Sequence, residues 1–265
     1  MQHLFSSWDS FLSDIRTASH TILLSDYDGT LTPIVSRPKE AKLSPKVRGM
    51  MVNLAKNPSF SIGIISGRSL SEIKKMVEID GVYYAGNHGL EIAGPGIKFV
   101  SPSALAAQNE ILELAKQLSD KLDKIEGVIV EDKGLSLSIH YRMVKTGDET
   151  VVTRIFHQTT SPLLNEGKIK VTAGKKVWEA RPPINWHKGK AAEIIIQKIK
   201  GILNHQKLLT VYLGDDKTDE DVFKIIRHPQ GWGIFIGGDN PSSSADYYLN
   251  STAEVKTFLS RILNL

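Results

Sequence analysis

Four short stretches of the 265-residue sequence concentrate residues that can do chemistry. Asp26 and Asp28 stand one residue apart after the apolar pair Leu23-Leu24, ahead of a Gly29-Thr30 turn that stops at Pro33. Ser66-Gly67-Arg68 follows Ile64-Ile65, His187-Lys188-Gly189 opens a helical pattern, and Gly214-Asp215-Asp216-Lys217-Thr218-Asp219 follows Val211-Tyr212-Leu213. Taken singly, each has an ordinary structural reading. Asp-x-Asp-Gly is common turn chemistry, a serine can cap a helix, a lysine can be solvated, and acids suit a helix N-terminus. Brought to one edge, several carboxylates with one hydroxyl and one ammonium carry an excess of negative charge that a hard divalent cation with oxygen ligands would neutralise.

A parallel sheet could bring them together, because ligands of open α/β sheets collect outside the carboxyl ends of the strands. The hydrophobic pattern predicts such a sheet. An amphipathic helix over 4–19 is followed by the buried strand TILLSD, a helix over 44–57 with Ser44 as cap and Pro45 in its first turn, a strand over 59–67, a helix over 69–79 and a strand over 81–86. This β-α-β-α-β alternation implies parallel strands with right-handed crossovers.

After about residue 94 the rhythm changes. A helix from Ser103 to Leu122, the strand-like GVIVEDKGLSLSIHYR, a helix near 147–163 and the alternating KIKVTAGKKVWEARPP predict a small antiparallel α+β unit. From 187 the first rhythm resumes: helix 188–200, strand 208–214, helix 218–227, strands 231–237 and 246–250, and helix 252–263. The expected fold is α/β, a Rossmann-like doubly wound core formed by 1–97 and 185–265 and interrupted by an α+β insert at 98–184.

Composition narrows the chemistry. The chain has no cysteine, which excludes disulfides, thiolate zinc sites, iron–sulfur clusters and a cysteine nucleophile. Apolar residues make up 41% and charged residues 23%, as in an ordinary globular protein. The net charge of +4 is spread without a concentrated basic stripe, so nucleic acid is not an expected partner. No run is long and apolar enough for a membrane span and the start lacks signal-peptide character, which predicts a cytoplasmic protein; a monomer is expected.

In chain order, DYDGT, the serine of IISGR, the lysine of HKG and GDDKTDED resemble the four motifs of the haloacid-dehalogenase-like phosphatases. The resemblance implies that Asp26 is a nucleophile forming an aspartyl-phosphate and that Asp28 is the general acid and later the base for water. It implies Mg²⁺ bound by the Asp26 carboxylate, the Asp28 main-chain carbonyl and Asp215, with Asp216 and Asp219 as further acids holding metal-bound water. Ser66 and Lys188 would hold the phosphoryl oxygens. Lys190 is the alternative lysine, set aside because Lys-Gly is the order usual in the family.

Within that superfamily, DYDGTLTPI, SGR, GNHGLEI, EDKGLSLSIHYR, WEARP followed by KG, and GDDKTDED resemble the trehalose-6-phosphate phosphatases, through core and insert alike. The resemblance implies that the insert acts as a substrate-specificity cap. In LSLSIHYR, Leu135, Leu137, Ile139 and Tyr141 share one strand face while Ser136, Ser138, His140 and Arg142 share the other, and Glu179 pairs with Arg181 on one face of KVWEAR. A polar sheet face suits a hydroxyl-covered ligand; a merely solvated face is the competing reading. With the resemblance, Glu131, Lys133, His140, Arg142, Glu179 and Arg181 become sugar-binding candidates, joined from the core by Arg68, Asn87 and His88, although His88 could equally be a packed histidine. Trp178, Trp186 and Trp232 read as packing residues. The expected activity is Mg²⁺-dependent hydrolysis of a small sugar phosphate, trehalose 6-phosphate, by a stand-alone phosphatase. Another sugar or glycosyl-glycerate phosphate, a phosphomutase, and a non-catalytic sugar-phosphate sensor are the alternatives.

Overall fold

The computed structural model describes residues 1–204 and 207–265. In chain order the elements are β1 (Gln2–His3), α1 (Trp8–Thr17), β2 (His20–Ser25), α2 (Pro45–Lys56), β3 (Phe60–Ile65), α3 (Leu70–Val77), β4 (Tyr83–Gly86), β5 (Glu91–Gly94) and β6 (Ile97–Val100). There follow α4 (Pro102–Ala106), α5 (Gln108–Leu122), β7 (Ile129–Asp132), β8 (Leu137–His140), α6 (Asp148–Asn165), β9 (Lys170–Gly174) and β10 (Val177–Arg181). The last are α7 (Lys188–Leu203), β11 (Leu208–Gly214), α8 (Glu220–Phe223), β12 (Gly231–Ile236), β13 (Tyr247–Leu249) and α9 (Thr252–Leu263). The chain divides into two compact units, Met1–Phe99 with Trp186–Leu265, and Val100–Asn185.

In the first unit the strands lie in the order β1-β13-β12-β11-β2-β3-β4-β5-β6. From β1 to β4 neighbours run parallel; β5 turns back antiparallel to β4. β2 is central and buried along its whole length. Its alternation sorts the core: Leu23 faces one apolar layer with Leu209, Val211, Ile62 and Ile64, packed beneath helices that include α2 and α9, while Ile22 and Leu24 face another with Ala191, Ile195 and Phe223. Two buried faces are what a parallel sheet wound with helices on both sides requires.

Local signals account for much of this. Ser44 accepts from the Val47 amide at 3.3 Å with Pro45 in the first turn of α2, and Ser69 caps α3 by accepting from Glu72. The helix expected over 4–19 is shorter: a 3₁₀ turn over Leu4–Ser7 leads into α1, which ends at Thr17, and ahead of them Gln2 and His3 pair with Tyr247 and Tyr248 as β1. The helix expected over 218–227 is only Glu220–Phe223. Asp216 accepts from both the amide and the hydroxyl of Thr218, at 2.7 and 2.6 Å, and this local bonding holds the preceding residues out of helix.

The second unit is a four-stranded antiparallel sheet in the order β7-β8-β10-β9. One face packs Leu137, Ile139 and Ala180 against Ile111, Leu114 and Leu118 of α5 and Val152 and Phe156 of α6. The single helix expected from Ser103 breaks at Ala107, where φ is −94° and ψ is 4°, into α4 and α5. No described helix of either unit is long and apolar enough to cross a membrane.

Candidate active site

The end of β2 delivers Asp26, whose amide donates to the Leu213 carbonyl of β11 at 2.8 Å and whose side chain is 7% exposed. The chain then turns sharply. Gly29 adopts φ +91°, and a Cβ there would fall 2.2 Å from Asp215 Oδ2, so no side chain is tolerated where the two acidic loops meet. Thr30 donates from Oγ1 to Asp215 Oδ1 at 3.3 Å, tying the turn to the neighbouring strand end.

The loop after β11 is organised by Asp219. Its Oδ2 accepts from the amides of Asp215 and Asp216, both at 3.0 Å; its Oδ1 accepts from Lys188 Nζ at 2.8 Å and from the Tyr212 hydroxyl at 2.5 Å. Lys188, at the first turn of α7 and buried, also donates to Asp26 Oδ1 at 2.7 Å. Lys190, two residues on, lies with its Nζ 5.7 Å from the centre of the Trp186 ring.

Beyond β3, Ser66 is buried and its Oγ accepts from the Arg68 amide at 3.2 Å. Arg68 is turned onto Asp28: Nε donates to Oδ2 and Nη2 to Oδ1, each at 2.7 Å, while Nη1 donates to Glu72 at 2.8 Å and Nη2 also to the Pro38 carbonyl. Both carboxylate oxygens of Asp28 are thus held in a fork. After β4, Asn87 and His88 sit at φ +50° and +55° and precede Gly89 at +97°. This left-handed turn is fixed by the Asn87 and His88 amides donating to the Arg68 and Ser66 carbonyls, at 2.6 and 2.9 Å, and by Glu91 accepting from Asn87 Nδ2 at 2.9 Å. The His88 ring lies where a Cβ on Gly67 would reach, 2.7 Å away, so Gly67 makes room for it.

The electrostatics follow from this crowding. Burial pushes the Asp26 carboxyl well above its ordinary value against the pull of Lys188, with Asp219 and Asp215 adding to the rise. Burial, then Asp219 and Asp216, push Asp215 up to about 7. Burial also raises Asp219. For Lys188, burial disfavours the ammonium, but Asp219 and Asp26 outweigh it and lift the group well above its ordinary range. One ammonium does not balance these carboxylates. Asp26, Asp215 and Asp219 each offer an oxygen within 4.8 Å of the others, an all-oxygen set that fits a hard cation. Each oxygen of Asp219 already receives two donors, which leaves Asp26 and Asp215 as the carboxylates with acceptor capacity to spare.

In the second unit, Glu131, Ser138 and Glu179 lie in register across β7, β8 and β10 on the face opposite the helices. Lys133 Nζ lies 3.9 Å from Glu131 and 3.8 Å from Glu179, and His140 Nε2 is 2.7 Å from Glu131. Arg181 shares the face of Glu179, since Trp178 and Ala180 turn into the apolar layer. Arg142 lies beyond β8, exposed, donating to the Lys175 carbonyl at 3.1 Å, and does not join the cluster. All three tryptophans named above pack: Trp178 stacks on Phe156, Trp186 on Phe99, and Trp232 meets Tyr247 while donating to Asp14.

Sequence reasoning passed over Glu72, Glu91 and Tyr212 as site residues. Glu91 stands inside the quoted GNHGLEI and Tyr212 directly before Leu213-Gly214-Asp215, so proximity to the motifs was the available signal; what each side chain touches was not.

The family description "Trehalose-phosphatase" matches residues 24–253. The Arabidopsis thaliana protein described as probable trehalose-phosphate phosphatase D is 36% identical over 262 residues, which cover 95% of this chain and 69% of that protein. Among solved structures, the C-terminal domain of C. albicans trehalose-6-phosphate phosphatase superposes with a TM-score of 0.78 at 24% identity, over 97% of this chain and 96% of that one. A haloacid dehalogenase-like hydrolase from Bacteroides thetaiotaomicron superposes with a TM-score of 0.63 at 15% identity, over 92% and 99%. These two likenesses describe the fold.

Proposed function

The chain belongs to the trehalose-phosphatase family and is a phosphomonoester hydrolase; from that premise we propose that it converts trehalose 6-phosphate and water to trehalose and inorganic phosphate through a phosphoryl intermediate on Asp26. The observation that supports this most is the buried Asp26 at the end of the central strand, bonded to Lys188 at 2.7 Å.

A carboxylate oxygen of Asp26 attacks phosphorus and the bond from phosphorus to the sugar oxygen breaks. Asp28 gives that oxygen its proton, then takes a proton from the water that cleaves the acyl phosphate. Both Asp28 oxygens accept from Arg68, so for Asp28 to carry and hand over a proton one of these bonds must open while the other keeps the carboxyl aimed. We therefore assign Arg68 to Asp28 rather than to the sugar. Lys188 and the Ser66 hydroxyl donate to the phosphoryl oxygens, whose charge is spread in the transition state. Mg²⁺, held by the Asp26 carboxylate, the Asp28 main-chain carbonyl and Asp215, would supply the Lewis acidity that shields the phosphate from the attacking carboxylate.

Sugar recognition is assigned to Glu131, Lys133, His140, Glu179 and Arg181, with Asn87 and His88 as further substrate groups. Charged groups that end unpaired against the wrong sugar penalise it strongly. Phosphate release from trehalose 6-phosphate, measured with and without Mg²⁺, tests the reading. Comparable turnover of glucose 6-phosphate would remove the substrate assignment, and undiminished activity of Asp26→Asn would remove the mechanism.

A further inference from the structure

Tyr212 carries a phenol that the reaction above does not use. It is fully buried on β11, with its ring edge-on to Phe223 at 5.6 Å between centroids, in the layer that holds Ile22 and Leu24. A phenylalanine would fill this space, and burying a hydroxyl in an apolar layer is unfavourable unless it is bonded. The bond it makes is specific: the hydroxyl donates to Asp219 Oδ1 at 2.5 Å. The same oxygen accepts from Lys188 Nζ at 2.8 Å, and the same ammonium donates to Asp26 Oδ1 at 2.7 Å. A relay of direct contacts therefore runs from Tyr212 through Asp219 and Lys188 to Asp26, with the Asp219, Lys188 and Asp26 side chains only 0%, 3% and 7% exposed.

We propose that Tyr212 is a positioning residue for phosphoryl transfer, its hydroxyl occupying Asp219 Oδ1 so that the Lys188 ammonium stays shared with Asp26 instead of collapsing onto Asp219. Charges this close and this dry attract strongly, and a competing donor on Asp219 is the direct way to weaken that pull. The amides of Asp215 and Asp216 fix the other oxygen, so the carboxylate cannot rotate to replace a lost phenol. This inference rests on the phosphatase reading, in which Lys188 must face both the nucleophile and the phosphoryl oxygens.

Tyr212→Phe keeps the ring and its contact with Phe223 and deletes only the hydroxyl. The expected result is a kcat for trehalose 6-phosphate about tenfold lower with KM within about twofold of the parent. A double-mutant cycle with Asp219→Asn separates positioning from packing: acting through Asp219, Tyr212→Phe lowers kcat in the parent and changes it less than about twofold in the Asp219→Asn background. Equal losses in both backgrounds, or a Tyr212→Phe kcat equal to the parent's, would overturn the proposal. If Asp219→Asn does not fold, Lys188→Gln serves as the second partner with the same expectations. Running p-nitrophenyl phosphate in parallel keeps two failures apart. A parent enzyme that cleaves only the aryl ester refutes the trehalose assignment, while the cycle on that ester still decides the role of Tyr212.

Discussion

Arg68 grips Asp28 with two parallel hydrogen bonds of 2.7 Å, and this has a consequence for leaving groups. An alkoxide needs a proton as it departs, whereas a nitrophenolate does not. Arg68→Ala is expected to lower kcat on trehalose 6-phosphate by about 10²-fold, and on p-nitrophenyl phosphate by no more than about threefold, because in the proposed mechanism it misaims the acid Asp28 and leaves the nucleophile Asp26 alone; equal losses on both esters would show instead that the whole site had collapsed. Asp215 makes a second prediction. In the folded protein burial and its acidic neighbours hold its proton up to about 7, against 3.8 for an ordinary aspartate in the unfolded chain. Between those values the folded state binds more protons, so this group's contribution to stability is fully present at the acid end and is lost as pH rises through about 7. Asp26 and Asp219 shift in the same direction. Thermal melts of metal-free protein should therefore show Asp215 eroding stability from about pH 4 to 7, with the proposed Mg²⁺ raising the midpoint at about pH 8 and much less at about pH 5, where protons compete for the same oxygens.

At the scale of elements, the turn after β2 is the part on which the two acidic loops depend. Gly29→Ala would force an L side chain into φ +91° with its Cβ 2.2 Å from Asp215. We expect a loss of about 2 kcal/mol in stability by denaturant melt and a phosphatase activity at least tenfold lower, since Asp215 must move. A variant as stable and active as the parent would mean that the turn can relax. This turn was legible in the sequence, because Asp-x-Asp-Gly-Thr followed by proline is local turn chemistry. So were β2, β3 and β11, whose apolar runs end at the acids and at Ser66. β1 was not legible, for two residues carry no period and its partner β13 lies at the other end of the chain. β5 and β6 were missed for a related reason: an antiparallel extension of a parallel sheet is chosen by the free edge of β4, not by any alternation of their own.

At the scale of the molecule, two units with separate apolar cores divide the work between phosphoryl chemistry and, as proposed, sugar recognition. Lys133→Ala and Glu179→Ala should each raise KM for trehalose 6-phosphate about tenfold or more while leaving p-nitrophenyl phosphate turnover within about twofold; an equal effect on both substrates would contradict that division. The order of amino acids by itself determined the alternation of strands and helices, the change of rhythm at the insert and the chemical types gathered at the strand ends, because periodicity and turn propensity act over a few neighbouring residues. Only the tertiary structure decided who touches whom. Lys188 and Lys190 are equivalent as composition, yet two residues on a helix are about 200° apart, so only one can face Asp26. Arg68 on Asp28, and Asp219 bridging Tyr212 to Lys188, are likewise contacts set by strand register and helix rotation across long stretches of chain, and neither quantity is written in a local pattern.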